Sequence, residues 1–574
     1  MRNPFAIEED PQNPVPKEIL GWRIYAVAVT ATWVSNNVPN CPEQSSLTFF
    51  QASAMYGYCS AFIGGTITLP SFEAAFGLTS ETATTLSANI VSTFQGGAFF
   101  GVIFGTFCSE RFGRKWTTTG AGILFIVGVV LHFIGNLSVL YVGRLITGLA
   151  VGATTVIVPI YLAECSPAPI RGRLVGIFEI MLAGASLCGF WVSYGVEENI
   201  SSNSNTQWYI PIGVQFIPAV LLVILMPFMI ESPRWLVSKN RHEAASKALS
   251  WLRNLLAEHP WIQGELQEIE DQVTHEAELM GGKTSIFQGV RYLKDSSIRN
   301  RILISMALMM LQNLTGVNAL NYYRYVSSRI SLSYYSDLTN SPTIFSQIGY
   351  TGASAKLLAS GIYGVVKFVV TLTFMIFIVD TFGRRIPLII GGIGCSITML
   401  YLGGYTLVSN SFHATPPRDS GASAAIASLY LYAVFYSFSW SGIPWIFSSE
   451  VLPTHVRGFG MMCAGLSQWL SQFIVVYSLP YMVTGIESGM FWFFGACAAV
   501  ATVFAYLLVP ETKGVVLEDM ELLFDSEAPV LAVNRRKAFL EAKAVGMTGN
   551  GVGMMERKEK EFESEGGEDR VEDV

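Results

Sequence analysis

The chain has 574 residues, 51% of them hydrophobic and only 14% charged, with a formal net charge of −7 and a mean hydropathy of +0.42. Soluble domains carry about 25% charged residues, so the deficit excludes an ordinary water-soluble enzyme and points to a chain solvated by lipid. Its 8 cysteines show no paired spacing, which argues against a disulfide scaffold and a metal site. The polar, proline-bearing N-terminus is not a cleavable signal peptide.

Apolar runs of the ~20 residues that cross a bilayer fall at 24–33 with 52–70, 88–108, 118–136, 140–163, 174–194, 209–230, 300–323, 355–379, 386–408, 423–448, 459–482 and 489–510. Twelve spans are therefore expected, six on each side of a charged segment, so the fold class is an all-α polytopic membrane protein. The division reads as a cytoplasmic N-terminus at 1–22, a six-helix bundle at 23–230, a linker with short helices and no core of its own at 231–298, a second bundle at 299–510, and a charged, glycine-rich disordered tail at 511–574. Lys and Arg crowd the 2–3, 4–5, 8–9 and 10–11 loops and are absent from the 1–2, 3–4, 5–6 and 11–12 loops. By the positive-inside rule, both termini and the linker are cytoplasmic.

Span 1 is broken. Ile24–Trp33 is apolar, residues 34–51 are polar, and the apolar run resumes at Ala52. Ten residues cannot cross ~30 Å of hydrocarbon, and polar backbone is not tolerated in lipid. Joining Trp33 to Ala52 gives one continuous helix, and residues 34–51 are compatible with splice donor, branch-point and acceptor codons at Val34-Ser35, Leu47-Thr48 and Gln51. They read as a translated intron or an insertion. The segment 324–340 reads the same way.

Span 2 ends in Glu110-Arg111-Phe112-Gly113-Arg114-Lys115, and span 8 in Asp380-Thr381-Phe382-Gly383-Arg384-Arg385. Span 4 runs into Glu164-Cys-Ser-Pro-Ala-Pro-Ile-Arg171-Gly172, and span 10 into Glu450-Val-Leu-Pro-Thr-His-Val-Arg457-Gly458. The pattern E-x-x-P-x-x-x-R-G, placed equivalently in each half, marks a duplication into two pseudo-symmetric bundles. An acid and an arginine across a proline belong where helix meets water. A cytoplasmic gate is expected from Glu110, Arg111, Arg114, Glu164, Arg171, Asp380, Arg384, Arg385, Glu450 and Arg457, with Glu164 and Glu450 engaging the arginines of the 2–3 and 8–9 loops or their own Arg171 and Arg457.

Other polar groups lie inside the spans, where an ionisable residue is a functional hypothesis by default. Arg144 opens span 4, where it either snorkels or serves function. Glu179 in span 5 reads equally as a structural partner of the cytoplasmic arginines or as part of the site. Span 7 holds Gln312, Asn313, Asn318, Asn321, Tyr322 and Tyr323 around Gly316, too many amides for one helical stripe unless the helix bends at the glycine. Lys367 stands 13 residues before Asp380, ~20 Å along the helix from the cytoplasmic end. It is either a counter-ion for an anionic substrate or half of an internal pair. Spans 10 and 11 add Trp440, Trp445, Gln468, Trp469 and Gln472. Amides and aromatic faces are what a polyhydroxylated ring requires: paired donors and acceptors with apolar C–H faces stacked on rings.

The motifs PxYxxExxPxxxRG at 159–172, ESPRWL at 231–236, QNLTGVN at 312–318 and PETKG at 510–514 resemble the sugar porter family of the major facilitator superfamily. Pro-Lys-Glu before Trp22-Arg23-Ile-Tyr and Gly189-Phe190-Trp191 in span 5 are similar to fungal quinate permeases, beside the monosaccharide transporters. The resemblance implies a major facilitator fold that takes up a monosaccharide or quinate by alternating access with the proton as coupling ion, and no other cofactor. It implies a substrate site at Gln312, Asn313, Asn318, Trp445, Gln468 and Trp469, to which the residues add Tyr322 and Lys367. Proton-coupled relatives carry an acid in span 1 that pairs with the span 4 arginine. Here the triplet is Gly57-Tyr58-Cys59, so coupling through Arg144 and Cys59 is open, and a facilitative uniporter or a transporter-like receptor signalling through its tail stands as the alternative. The partners expected are a small-molecule substrate and the bilayer, with no nucleic acid, no enzymatic activity and a monomeric chain in the plasma membrane.

Overall fold

The computed structural model describes residues 44–78, 83–166, 171–279, 289–320, 353–412, 420–453, 456–513, 520–524, 532 and 535. Among the described residues, twelve helical elements build two bundles. The first contains α1 (Gln44–Ile67), α2 (Ala83–Phe112), α3 (Arg114–His132), α4 (Leu137–Cys165), α5 (Arg171–Asn199) and α6, which is split into Thr206–Val214 and Phe216–Leu225. The second contains α7 (Ser296–Leu314), α8 (Ala353–Thr373, continued by a π-helical turn Phe374–Ile378), α9 (Arg385–Val408), α10 (Ser420–Ser437 and Ile443–Val451), α11 (Arg457–Gly485) and α12 (Gly489–Leu508). Among the described residues, 10 helices are long and apolar enough to cross a membrane.

In lipid there is no hydrophobic drive between helices, so small residues that let backbones touch hold such bundles together. The sequence supplies them at helical spacing. A Cβ at Gly97 or Gly101 of α2 would sit 2.2 Å from the carbonyl oxygens of Leu145 and Leu149 on α4. Gly152 of α4 answers against the Ala98 carbonyl, at 2.0 Å. Gly57 brings α1 equally close to Leu182 of α5. Because the obstacle is backbone, it cannot swing aside, and overpacking of this kind costs about 1–3 kcal/mol. Gly101→Ala is therefore expected to lower the melting temperature of the purified chain, whereas Gly120→Ala, which meets nothing within 4 Å, is expected to leave it unchanged; fluorescence-detected thermal unfolding reads both. The opposite faces carry Phe104, Val127, Ile397, Val500 and Tyr506, all more than half exposed except Val127 at 48%. Apolar exposure on this scale belongs against acyl chains.

Three features differ from the sequence reading. Residues 44–51, inside the segment read as an insertion, are helical and continuous with Ala52–Ile67, giving α1 24 residues, or ~36 Å. The linker has a small core of its own, formed by Trp235, Leu236, Ala245, Leu249, Ile262 and Leu266 from the helices Pro233–Ser238, His242–Arg253 and Pro260–Leu279. Its amphipathic stretches bury their apolar stripes against one another, and Arg253, itself 2% exposed, ties the unit to the first bundle through the Cys165 carbonyl at 3.0 Å. The start of the tail is also packed: Met520, Leu523 and Phe524 are buried, and the Phe524 ring lies 5.2 Å from the Arg301 guanidinium and 5.0 Å from that of Arg535. The segment 324–340, Tyr322 and the side chains of Arg171 and Asp380 lie outside the described residues.

Candidate functional site

Two clusters of buried polar side chains stand out, one at the helix ends that carry the duplicated motifs and one between the bundles. At the ends, the duplicated motifs build the same device twice. Arg114 donates to Glu164 at 2.7 Å, and Arg384 donates to Glu450 at 2.8 Å. All four side chains are at most 14% exposed. Each arginine follows a glycine with positive φ, +92° at Gly113 and +79° at Gly383, a conformation that costs glycine least.

A second carboxylate completes each device. Glu231 accepts the backbone N–H of Arg114 at 2.9 Å and of Lys115 at 3.2 Å. Glu511 accepts those of Arg384 at 2.9 Å and Arg385 at 3.0 Å. Both thereby occupy the positive end of a following helix, where an anion is favoured. Burial still pushes the Glu231 carboxyl above the usual carboxylate range, against the lowering effect of those N–H bonds and of Arg114. The hydroxyl of Thr512 binds the other oxygen of Glu450 at 3.0 Å. Glu231 and Glu511 were missed in the sequence, although each immediately follows the end of the sixth span of its half. That equivalence is the signal that reveals them.

Each ion pair lies within its own bundle, Arg114–Glu164 in the first and Arg384–Glu450 in the second. Between the bundles, Glu110 of α2 stands against the first turn of α11, where a Cβ at Gly458 would meet its Oε1 at 3.2 Å. Glu110 also offers its carbonyl to the Trp235 indole of the linker at 3.1 Å. Arg111 turns outward over the Phe112 ring at 5.8 Å, Arg385 donates to the Tyr506 carbonyl at 2.7 Å, and Arg457 is buried.

The second cluster forms where α7 and α10 break. After Leu314 the chain turns at Thr315-Gly316, with Gly316 at φ +97° packed on Met399 and Phe494. That turn brings Asn318 back to Asn313, with Nδ2 2.7 Å from Oδ1. Asn313 donates in turn to Gln468 Oε1 on α11 at 2.8 Å. Gln312 reaches the broken part of α10, donating to the carbonyls of Trp440 at 2.8 Å and Ser441 at 2.7 Å. Its Oε1 is buried without a hydrogen-bond partner among the described residues, an acceptor available to a ligand. The amides are thus strapped to one another and to broken backbone, with the buried Gln312 Oε1 left as an unused acceptor among the described residues.

The first bundle closes on this cluster. Trp469 of α11 donates its indole N–H to Thr155 of α4 at 3.2 Å and packs on Tyr56 at 5.1 Å between ring centroids. Trp445 faces Phe178 of α5 at 6.1 Å. Ser441 of α10 donates to Glu179 of α5 at 3.0 Å, and Glu179 is 3% exposed. Lys367 of α8 is half-buried, lies within electrostatic range of Glu179, and holds its Nζ 5.6 Å over the Tyr436 ring. Glu179 therefore sits too deep to pair with the arginines of the duplicated motifs and belongs with the central cluster.

The span 1 and span 4 residues lie to one side of these groups. Arg144 does not snorkel. It is fully buried, donates to the Ile90 carbonyl at 3.2 Å and lies 4.6 Å over the Phe94 ring. The Cys59 thiol, also fully buried, donates to Gln215 of α6 at 3.1 Å. The span 1 position thus holds a thiol engaged with Gln215 in place of a carboxylate.

The family model described as "Sugar (and other) transporter" matches residues 46–524. Among curated proteins, the chain is 38% identical over 532 residues to a probable quinate permease of Aspergillus fumigatus, covering 91% of each. It is 37% identical over 531 residues to the quinate permease of Emericella nidulans, covering 91% of this chain and 92% of that one. Among solved structures, the proton:xylose symporter XylE bound to 6-bromo-6-deoxy-D-glucose aligns with a TM-score of 0.68 at 25% identity, over 88% of this chain and 99% of that one. The inward-open form of the xylose transporter XylE from E. coli aligns with a TM-score of 0.61 at 25% identity, over 83% and 99%.

Proposed function

The chain belongs to the Sugar (and other) transporter family and moves a small polyhydroxylated substrate across a membrane, and we propose that this substrate is a polyol carboxylate of the quinate class. The observation that carries the choice is Lys367. A half-buried ammonium deep in a span, beside the amide cluster and an open Gln312 acceptor, suits a ligand with ring hydroxyls at one end and a carboxylate at the other. A neutral hexose would leave that cation without a role in recognition. The relatives named quinate permeases over nine-tenths of the chain support the same reading.

The mechanism is alternating access about a midplane site. The duplicated Arg–Glu devices hold the cytoplasmic helix ends in register, and Trp469–Thr155 and Ser441–Glu179 are the contacts made and broken as the bundles rock. Transport is proton symport at the plasma membrane by a monomer with both termini in the cytoplasm. Cys59 in place of an acid favours a facilitative uniporter as the second reading. Uptake of labelled quinate into a host lacking its own carriers tests the substrate. Unlabelled quinate in excess is expected to suppress the signal and hexoses to leave it; the reverse pattern removes the acid from the account.

The segments 34–51 and 324–340 are proposed to be intron-encoded or inserted, and absent from the most active form. Full-length transcripts read against the gene are expected to include a population lacking both. Transcripts that always retain them would contradict this.

A further inference from the structure

Glu179 is the one carboxylate that the described residues place in the central cluster, and it touches both halves of the protein at once. Its carbon chain rises from α5 of the first bundle, and a Cβ on Gly442 of α10 would stand 3.0 Å from its Cγ. Ser441 of the second bundle donates a hydrogen bond to its Oε2 at 3.0 Å. The titratable groups facing it are Lys367 from α8 and Tyr436 from α10. Met375, in the π-helical turn that continues α8, closes the remaining side with its Sδ within 3.3 Å of the same Cβ position. A carboxylate so enclosed is stable as an anion only while a cation and a donor serve it, because desolvation disfavours the charged form.

From this geometry, and resting on the reading of the substrate as a polyol acid, we infer that Glu179 is the proton carrier of the transport cycle, taking the role that the span 1 residue Cys59 is unable to fill. In the empty site Glu179 is ionised, with Lys367 as its counter-ion and Ser441 as donor. The substrate carboxylate engages Lys367 and removes that counter-ion. Glu179 then takes a proton from extracellular water, becoming a neutral acid. The neutral acid and the substrate–lysine pair leave no unbalanced charge, so the bundles can rock. On the cytoplasmic side the substrate departs, Lys367 returns to Glu179, and the carboxyl releases its proton to cytoplasmic water. One anion and one proton have crossed, and nothing has been oxidised or reduced.

The test uses the full chain in proteoliposomes. Quinate counterflow, which needs no net proton movement, is run beside accumulation driven by an imposed pH gradient at clamped voltage. Glu179→Gln is expected to lose gradient-driven accumulation altogether while lowering counterflow by a much smaller factor, and Glu179→Asp is expected to restore part of the accumulation. Accumulation by Glu179→Gln that still follows the pH gradient overturns the assignment. Should that variant not yield a monodisperse protein, wild type decides: quinate added in weakly buffered detergent is expected to draw protons from solution in proportion to the quinate bound, and binding without proton uptake overturns it. Absence of quinate counterflow in wild type, by contrast, refutes the substrate reading and is distinguishable from either result.

Discussion

Lys367→Met is expected to abolish uptake of an acidic polyol while the protein remains folded and in the membrane. Methionine keeps much of the length and the apolar stem of lysine, so packing against Tyr436 is largely retained and the ammonium is what disappears. A hydrogen bond to a charged group contributes about 1.5–3 kcal/mol, and about 1.4 kcal/mol is a factor of ten in affinity, so the loss for the acid is on the order of 100-fold. Neutral polyols that make the same hydroxyl contacts are expected to bind wild type and variant with equal, weak affinity. Equal loss for acid and neutral ligands would show that Lys367 holds the fold and does not read the carboxylate. The double variant Lys367→Met with Glu179→Gln removes both buried charges together. It is expected to be more stable than Lys367→Met alone, since removing one partner of a buried pair costs more than removing both.

Arg384→Ala is expected to stop net uptake by loosening the gate proposed at the duplicated motifs. Arg384 donates to Glu450, while the Glu511 carboxylate caps its backbone N–H, so one substitution strands the Glu450 carboxylate beside a packed helix end. Breaking a buried pair by removing one partner costs about 3–5 kcal/mol. The pair lies within the second bundle, so its loss acts on the packing of that bundle's helix ends and through them on the gate. The buried Cys165, whose carbonyl receives Arg253, reports the opening. Its labelling by an impermeant thiol reagent in inside-out vesicles, read by peptide mass spectrometry, is expected to rise with Arg384→Ala. The exchange Arg384→Glu with Glu450→Arg is expected to recover part of the uptake. Unchanged labelling and uptake would assign the pair to folding alone.

Much of this arrangement was legible in the residues, for identifiable reasons. The spans follow from apolar runs because lipid allows few alternatives to a helix. The E-x-x-P-x-x-x-R-G repeat announced the duplication, and the engagement of Glu164 and Glu450 with the 2–3 and 8–9 arginines was one of two options open from spacing. Gly316 marked the bend of α7 because only a turn there lets Asn318 return to Asn313.

The rest depends on contacts distant in sequence. Spacing could not show that Glu179 meets Ser441 from the other bundle, nor that Trp469 meets Thr155. The caps at Glu231 and Glu511 were passed over because each was read within a motif of its own half's end, not against its counterpart. The linker's core is not legible in the sequence because its helices are individually too short and charged to signal burial, and become a core only when Trp235, Leu249 and Ile262 come together. Residues 44–51 show the reverse: composition read them as a break, yet QSSLTFFQ continues the helix into Ala52.

The most direct test of the account is electroneutral acid uptake by the purified wild-type chain. Proteoliposomes with the interior more alkaline than the bath, and with voltage clamped at zero, are given labelled quinate. Accumulation above the bath concentration that collapses when a protonophore dissipates the pH gradient is the predicted result. Quinate that merely equilibrates, or a liposome that accumulates hexose and ignores quinate, would contradict it.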